Sequence, residues 1–425
     1  MRGEGRRILL VVLDGAADRP ATALGGRTPL EAAETPQLDR LATGGASGLA
    51  DVGPPGTPLP SDRAHARLFG YDPETLPRRS VLEARGLDVP VPEDGVVCSA
   101  SFARVEPAAD GWTVTDRSVE DAREDCEGDA ALVEAFDADG VEIALTYTWK
   151  NRGILRLRAD GADLDPGVTD TDPFEAGLPV VRPEPTDDAA DERAARRTAD
   201  ALAAYTRWTV DRLADRRTDG VLAKWAGAPT NPPPFAETQG MQGVSLTPKP
   251  VLSGLAETLG MAVRDPPAEY DDRAAAVLAA VDDAEFVHAH YPEPDEVAHA
   301  ESPAAKRDEL AAIDASLEPV VDRALADPAL VTVVTADHTT PSVGNVVHSG
   351  EPVPVTVTAP TVRVDDVDAT GERPAAGGGL GRVDGGDLLR LARAAADRVL
   401  LAGLRRTPAD GTVPTTDVRP LDREQ

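Results

Sequence analysis

The chain carries six histidines, and five of them, His288, His290, His299, His338 and His348, fall between positions 288 and 348. The sixth, His65, follows closely on Ser61. Asp295 and His299 are spaced i, i+4, so a single helical turn aims both side chains the same way, the spacing of a metal clip. Asp337 and His338 are adjacent at the end of an apolar run, and His348 follows through a short loop holding Pro341 and Gly344. Asp14 ends another apolar run. Three imidazoles (His299, His338, His348) with three carboxylates (Asp14, Asp295, Asp337) exceed the needs of one ion, so two metal ions sharing a site is the economical reading. Mixed nitrogen and oxygen donors favour Mn²⁺ or Zn²⁺ over Mg²⁺. Ser61 precedes a helical stretch, Asp62 to Phe69, where a serine serves as a helix N-cap or as a nucleophile. Each piece alone has a plainer reading: an aspartate after a strand caps a helix, and His288 and His290, on one strand face, pack as core residues. The order D, S, DxxxH, DH, H, with each member at a strand end or a helix start, joins them into one hypothesis.

These side chains converge only if the elements that carry them share an edge. Ile8 to Leu13 is a continuous β-branched-rich run, which predicts a strand buried on both faces of a parallel sheet. Thr28, Pro29 and Glu31 have the form of a capping box with proline at the first helical position, and Pro36 should kink or divide the helix that follows. From about Asp72 to Pro185 the pattern changes to short alternating stretches, such as Val96 to Val105 and Val141 to Trp149, with acidic turns. This reads as an α+β insertion, and the Pro/Asp-rich Val181 to Asp191 as the linker back. Beyond it the pattern predicts a helix over Ala189–Arg216, a strand over Val221–Trp225, helices over Pro250–Leu259 and Asp271–Val281, and a strand over Glu285–Tyr291. A helix over Ala304–Leu325 and strands over Leu330–Ala336 and Val353–Thr358 complete the alternation. It predicts an α/β fold with a doubly wound, mainly parallel sheet, which binds ligands at the carboxyl edge of its strands. The expected division is a discontinuous core of residues 1–73 and 187–404, an inserted cap of residues 74–186, and a tail over 405–425. Gly377 to Gly379 and the tail beyond Arg405 are expected to be mobile.

Composition bounds the partners. Lys+Arg 43 against Asp+Glu 74 leaves a formal charge of −31, which repels a polyanionic backbone and argues against nucleic acid. Only Lys150, Lys224, Lys249 and Lys306 are lysines, so nearly all positive charge is arginine. Acid-rich and lysine-poor together read as a surface adapted to a salty cytoplasm. Cys98 and Cys126 form no CxxC pair and suggest neither a disulfide framework nor a thiolate-bound metal. Arg6-Arg7 and the six apolar residues that end at Asp14 are too short for a signal peptide, and no apolar run is long enough to span a membrane. A cytoplasmic protein is expected, and the sequence is silent on oligomeric state.

Several longer motifs stand in a fixed order: Val11-Val12-Leu13-Asp14-Gly15, Thr28-Pro29-Leu30-Glu31-Ala32-Ala33, Thr35-Pro36-Gln37-Leu38-Asp39-Arg40-Leu41, Ser61-Asp62-Arg63-Ala64-His65, Phe69-Gly70-Tyr71-Asp72-Pro73, Thr335-Ala336-Asp337-His338 and His348-Ser349-Gly350. Together, and over about residues 6–400, the chain resembles the archaeal-type 2,3-bisphosphoglycerate-independent phosphoglycerate mutases of the alkaline phosphatase superfamily. The resemblance implies an alkaline-phosphatase-like core with an inserted cap. It also implies a nucleophilic Ser61 on a metal held by Asp14, Asp337 and His338, and a second metal on Asp295, His299 and His348. Two divalent ions are expected, Mn²⁺ first with Zn²⁺, Co²⁺ or Mg²⁺ as alternatives, and no 2,3-bisphosphoglycerate. The implied reaction interconverts 3-phosphoglycerate and 2-phosphoglycerate through a phosphoserine, with a cap that excludes water while the glycerate turns over. His65, Lys150 and Arg152 are the candidates for holding this small phosphorylated carboxylate, although Lys150 and Arg152 could equally be a surface salt-bridge cluster.

The sequence departs from the family pattern just before the expected nucleophile, where the usual Pro-Gly-Ser is Leu59-Pro60-Ser61. It departs again at Arg63, at Ala298 inside DxxxH, at Pro292 where a lysine is usual, and around Lys224, where an arginine is expected. The ligand set is intact while the substrate-reading set is altered. The departures leave open a phosphatase or other phosphoryl-transfer enzyme with the same metal core, and a metal-binding paralogue without turnover.

Overall fold

The structure is a computed structural model that describes residues 5–344, 346–402 and 421. The chain divides into two compact units: residues 1–73, 232–249 and 256–425 form one, and residues 74–231 with 250–255 form the other.

Among the described residues the first unit holds an eight-stranded sheet, in the order Ala262–Arg264, Gly243–Leu246, Phe286–Tyr291, Arg7–Leu13, Leu330–Thr335, Val353–Thr358, Ala46–Asp51, Gly381–Asp384. Arg7–Leu13 lies in the centre because Ile8 to Leu13 are buried on both faces and can be covered only by a strand on each side. It runs parallel to both neighbours, with Leu13 opposite Tyr291 and Val12 opposite Thr335. Three chains therefore leave the sheet at one edge, and that edge carries Asp14, Asp295 and Asp337. Thr28 forms the expected capping box, its side chain accepting from Glu31 N at 3.0 Å while the Glu31 carboxylate accepts from Thr28 N at 3.2 Å. Pro36 divides the helix as expected, into Pro29–Ala32 and Pro36–Thr43.

Val353–Thr358 runs antiparallel to Leu330–Thr335, because the loop between them turns back over the same sheet edge, and the sheet is mainly, not wholly, parallel. The single helix expected over Ala304–Leu325 is two, Pro303–Ser316 and Glu318–Ala326. Pro319, in the first turn of the second, cannot donate to a helix running through it. Gly377 to Gly379 are ordered, not mobile: a Cβ on Gly378 would stand 2.1 Å from Ser47 O, and Gly379 N donates to Asp365 at 2.6 Å. The tail beyond Arg405 lies outside the described residues apart from Leu421.

The compact division differs from the expected return from the insertion at 187. The second unit starts at Glu74 and runs on to Asn231. Its sheet is antiparallel throughout, in the order Gly111–Asp116, Val96–Ala108, Arg152–Ala159, Val141–Trp149, Ala135–Ala138. Gly220–Gly227 pairs with Val96–Ala108 instead of joining the parallel sheet. The long helix is Glu192–Leu213, capped by Asp191, which accepts from Arg193 N and Ala194 N. Its Ala195, Ala199, Leu202 and Tyr205 pack in one core with Val96, Cys98, Phe102 and Leu155. Alternation of helix and strand fits either sheet, and the apolar stripe of this helix matches the antiparallel one.

Candidate metal centre

Asp14, Asp337 and His338 bring one ligand atom each within 4.8 Å of one another, all of them buried. His338 Nε2 lies 3.3 Å from Asp14 Oδ1, 3.2 Å from Asp337 Oδ2 and 3.2 Å from Ser61 Oγ. Asp337 spends its other oxygen on Gly15 N, at 3.0 Å. Ser61 is the first residue of helix Ser61–Leu68, whose N-cap is Pro60, so its hydroxyl turns to His338 instead of serving as the cap. Asp295, His299 and His348 form a second cluster within the same 4.8 Å limit, more open because His299 is exposed. Asp295 and His299 lie on one turn of helix Glu293–Ala300, with His299 Nε2 3.3 Å and His348 Nε2 3.5 Å from Asp295 Oδ1. His348 donates from Nδ1 to Leu59 O at 2.9 Å, which leaves Nε2 for the cluster. The clusters adjoin, since the His338 and His348 rings stack at 3.7 Å.

The protein by itself does not balance this site. Asp14 Oδ1 and Asp337 Oδ2 are buried with no hydrogen-bond partner. Burial, opposed by His338, raises the Asp14 carboxyl, and burial reinforced by Asp14 raises Asp337 well above the carboxylate range. Burial lowers His338 to about 4, so the imidazole is neutral and offers a lone pair. Burial alone would raise Asp295, but its hydrogen-bonding histidine neighbours His299 and His348 hold it well below the ordinary range. The hydrogen bond to Asp295 raises His299 in turn. Orphaned carboxylate oxygens facing neutral imidazoles are the donor set of divalent cations, whose charge reverses these carboxyl shifts.

Behind the two clusters, His290 Nε2 stands 3.0 Å from Asp14 Oδ2 and its Nδ1 3.0 Å from Thr247 Oγ1, so this histidine orients the Asp14 carboxylate. His288 pairs with Ser245 Oγ at 2.9 Å. His65, expected to contact substrate, is 0% exposed here; it donates from Nδ1 to Ser61 O at 2.8 Å, and burial lowers it to about 3. It sits in the first turns of helix Ser61–Leu68, holding the Ser61 carbonyl. Three residues of the site escaped the sequence reading. Lys249, paired with Glu296, sets a positive charge near Asp14, which burial raises, and near His290, which burial lowers. Thr340 bridges the clusters, and buried Lys306 lies behind Thr340. Rarity was the available signal for both lysines, two of only four in the chain.

In the second unit Lys150 is exposed, in a left-handed conformation at φ 53°, with its ammonium 4.4 Å from the centre of the Trp149 ring. Partial burial, with Arg79, Arg117 and Arg123 nearby, lowers the Arg152 guanidinium against the pull of Glu83. Arg117 grips Asp172 through two bonds of 2.8 Å, and Lys224, itself buried, reaches the same carboxylate at 3.4 Å. The cations of this unit thus form a larger group than Lys150 and Arg152 alone.

The Metalloenzyme superfamily profile matches residues 6–393. The 2,3-bisphosphoglycerate-independent phosphoglycerate mutase of Methanopyrus kandleri is 35% identical, over 93% of this chain and 98% of its own length. A second such mutase, from Methanocaldococcus jannaschii, is 33% identical over 94% and 95%. Among solved structures, the cofactor-independent phosphoglycerate mutase of Thermoplasma acidophilum superposes with a TM-score of 0.64 at 27% identity, covering 92% of this chain and all of that one. A protein of Pyrococcus horikoshii superposes at 0.76 with 26% identity, over 94% of this chain and all of its own. The chain therefore belongs to the Metalloenzyme superfamily and, within it, to the 2,3-bisphosphoglycerate-independent phosphoglycerate mutases.

Proposed function

We propose that this protein interconverts 3-phosphoglycerate and 2-phosphoglycerate through a phosphoserine on Ser61, without 2,3-bisphosphoglycerate. The observation that carries the reading is the placement of Ser61 Oγ 3.2 Å from His338 Nε2, beside two buried carboxylates that lack partners. Asp14, Asp337, His338 and Ser61 would hold one divalent ion, and Asp295, His299 and His348 the other. Bound there, two cations favour the ionised serine hydroxyl and offset charge on the phosphoryl oxygens. Mn²⁺ suits this mixture of imidazole and carboxylate, and a salty cytoplasm suits the acid-rich, lysine-poor surface.

Ser61 begins its helix, so the positive end of that helix lies at the atom that would carry the phosphate. His65 fixes the turn from below by holding the Ser61 carbonyl. In the first transfer the serine oxygen bonds to phosphorus as the bond to the substrate oxygen breaks. In the second, the other glycerate hydroxyl takes the phosphoryl group back and frees Ser61. Lys249 brings positive charge to the Asp14 side of the site. Lys150 and Arg152 are proposed to receive the substrate carboxylate.

An NMR time course in high salt with Mn²⁺ and 3-phosphoglycerate tests this, with Ser61→Ala run beside the wild type. Formation of 2-phosphoglycerate by the wild type only is the expected result. Free phosphate in place of the isomer would make the protein a phosphatase, and undiminished turnover by Ser61→Ala would refute the nucleophile.

A further inference from the structure

Thr340 stands at the joint of the two ligand clusters. Its hydroxyl lies 2.7 Å from Asp295 Oδ1, in one cluster, and 3.0 Å from His338 Nδ1, in the other. Its backbone is held on both sides: the N–H donates to Ala17 O at 3.1 Å, and the carbonyl accepts from Lys306 Nζ at 2.8 Å. Lys306 is 0% exposed and donates also to Ala17 O at 3.1 Å and to Asp18 Oδ2 at 3.0 Å. Asp18 in turn accepts from Ser342 N at 3.1 Å. The segments that follow the two central strands are thus riveted together at the residue whose hydroxyl touches both clusters. Gly15 leaves room for it. With φ at +60°, a Cβ there would meet Thr340 Oγ1 at 2.4 Å and Asp295 Oδ1 at 2.9 Å.

The proton inventory gives this contact a direction. An ionised carboxylate only accepts, so the single hydroxyl proton of Thr340 goes to Asp295. The contact with His338 must then run the other way, with Nδ1–H donating to Thr340 Oγ1. That places the imidazole proton on Nδ1 and leaves the Nε2 lone pair facing Asp14, Asp337 and Ser61.

We propose that Thr340 is a positioning residue that sets the tautomer of His338 and, through the same hydroxyl, the orientation of Asp295, so that the two metal positions are coupled. The proposal rests on the two-metal reading above. It predicts that loss of one hydroxyl weakens both positions, although Thr340 is a ligand of neither.

The test is calorimetric titration of the metal-free protein with Mn²⁺ for wild type, Thr340→Val and Thr340→Ser, with circular dichroism as the check on folding. Wild type should take two ions. Thr340→Val, equal in size, should bind both about 10- to 100-fold more weakly, the usual cost of losing a partner behind a ligand, and Thr340→Ser should restore both. In metal-free wild type labelled with ¹⁵N-histidine, the resonance removed by His338→Gln should report a proton on Nδ1. A purely structural role would lower melting temperature and leave the affinities of the folded variant unchanged. Wild-type affinities in Thr340→Val, a weakening confined to one position, or a proton on Nε2 of His338 would each overturn the proposal. The last holds even if Thr340→Val fails to fold. A wild type that takes fewer than two ions would overturn the two-metal reading itself, and this proposal with it.

Discussion

Lys306→Met replaces a buried ammonium by an apolar chain of similar length, and the structure sets what that removes. Lys306 Nζ has three partners, Ala17 O, Asp18 Oδ2 and Thr340 O, at 2.8 to 3.1 Å. The substitution leaves the Thr340 carbonyl without its ammonium donor, Ala17 O with only the Thr340 N–H, and Asp18 without its counter-charge, while the Asp18 carboxylate keeps the backbone N–H bonds from Arg19 and Ser342. Breaking one side of a fully buried ion pair costs about 3–5 kcal/mol, because the remaining charge stays desolvated. Lys306→Met with Asp18→Asn removes both charges, so the double variant should lose less than Lys306→Met alone by about 1–2 kcal/mol or more. Urea is the right denaturant, since it leaves ionic strength unchanged. Tryptophan fluorescence is the wrong probe, because Trp112, Trp149, Trp208 and Trp225 all lie in the second unit. Far-UV circular dichroism, with hydrogen exchange of the central strands Arg7–Leu13 and Leu330–Thr335, reads the unit that changes. A loss below about 1 kcal/mol, or losses that simply add in the double variant, would refute the reasoning about the buried pair.

Gly15→Ala should abolish Mn²⁺ binding in a calorimetric titration and destabilise the fold by about 1–3 kcal/mol, from a left-handed backbone and a Cβ driven into Thr340. Burial raises the Asp314 carboxyl to about 6, against the pull of the N–H groups of Leu38 and Gln37 at the start of helix Pro36–Thr43. A carboxyl raised on folding contributes stability below its unfolded value near 4, and that contribution disappears as pH rises through about 6. Melting temperatures between pH 4 and 7 should therefore vary less steeply in Asp314→Asn than in wild type. With a formal charge of −31, dialysis into dilute buffer should cost the protein its far-UV dichroism as screening is lost, and an unchanged spectrum would contradict the salt-adapted reading.

The two candidate metal-binding clusters were legible in the sequence because their spacing is local. Asp295 and His299 needed only one turn of helix to meet, Asp337 and His338 are neighbours, and Asp14 ends a run too apolar to be anything but a central strand. The capping box at Thr28 and the break at Pro36 were legible for the same reason, since a cap or a missing N–H acts within a few residues of itself. Tertiary structure decided what depends on partners remote in the chain. Helix Glu192–Leu213 and strand Gly220–Gly227 would suit a parallel sheet by pattern, and only their match to the Val96–Ala108 sheet assigns them to the second unit. His65 carries a motif position yet is buried, and Lys249, Lys306 and Thr340 carry no motif yet stand at or behind the ligands. Sequence spacing dictates which side chains share a helix face or a strand end. Which of them meet across the sheet edge is set by the register Leu13 to Tyr291 and Val12 to Thr335, a long-range pairing that the burial of whole strands selects.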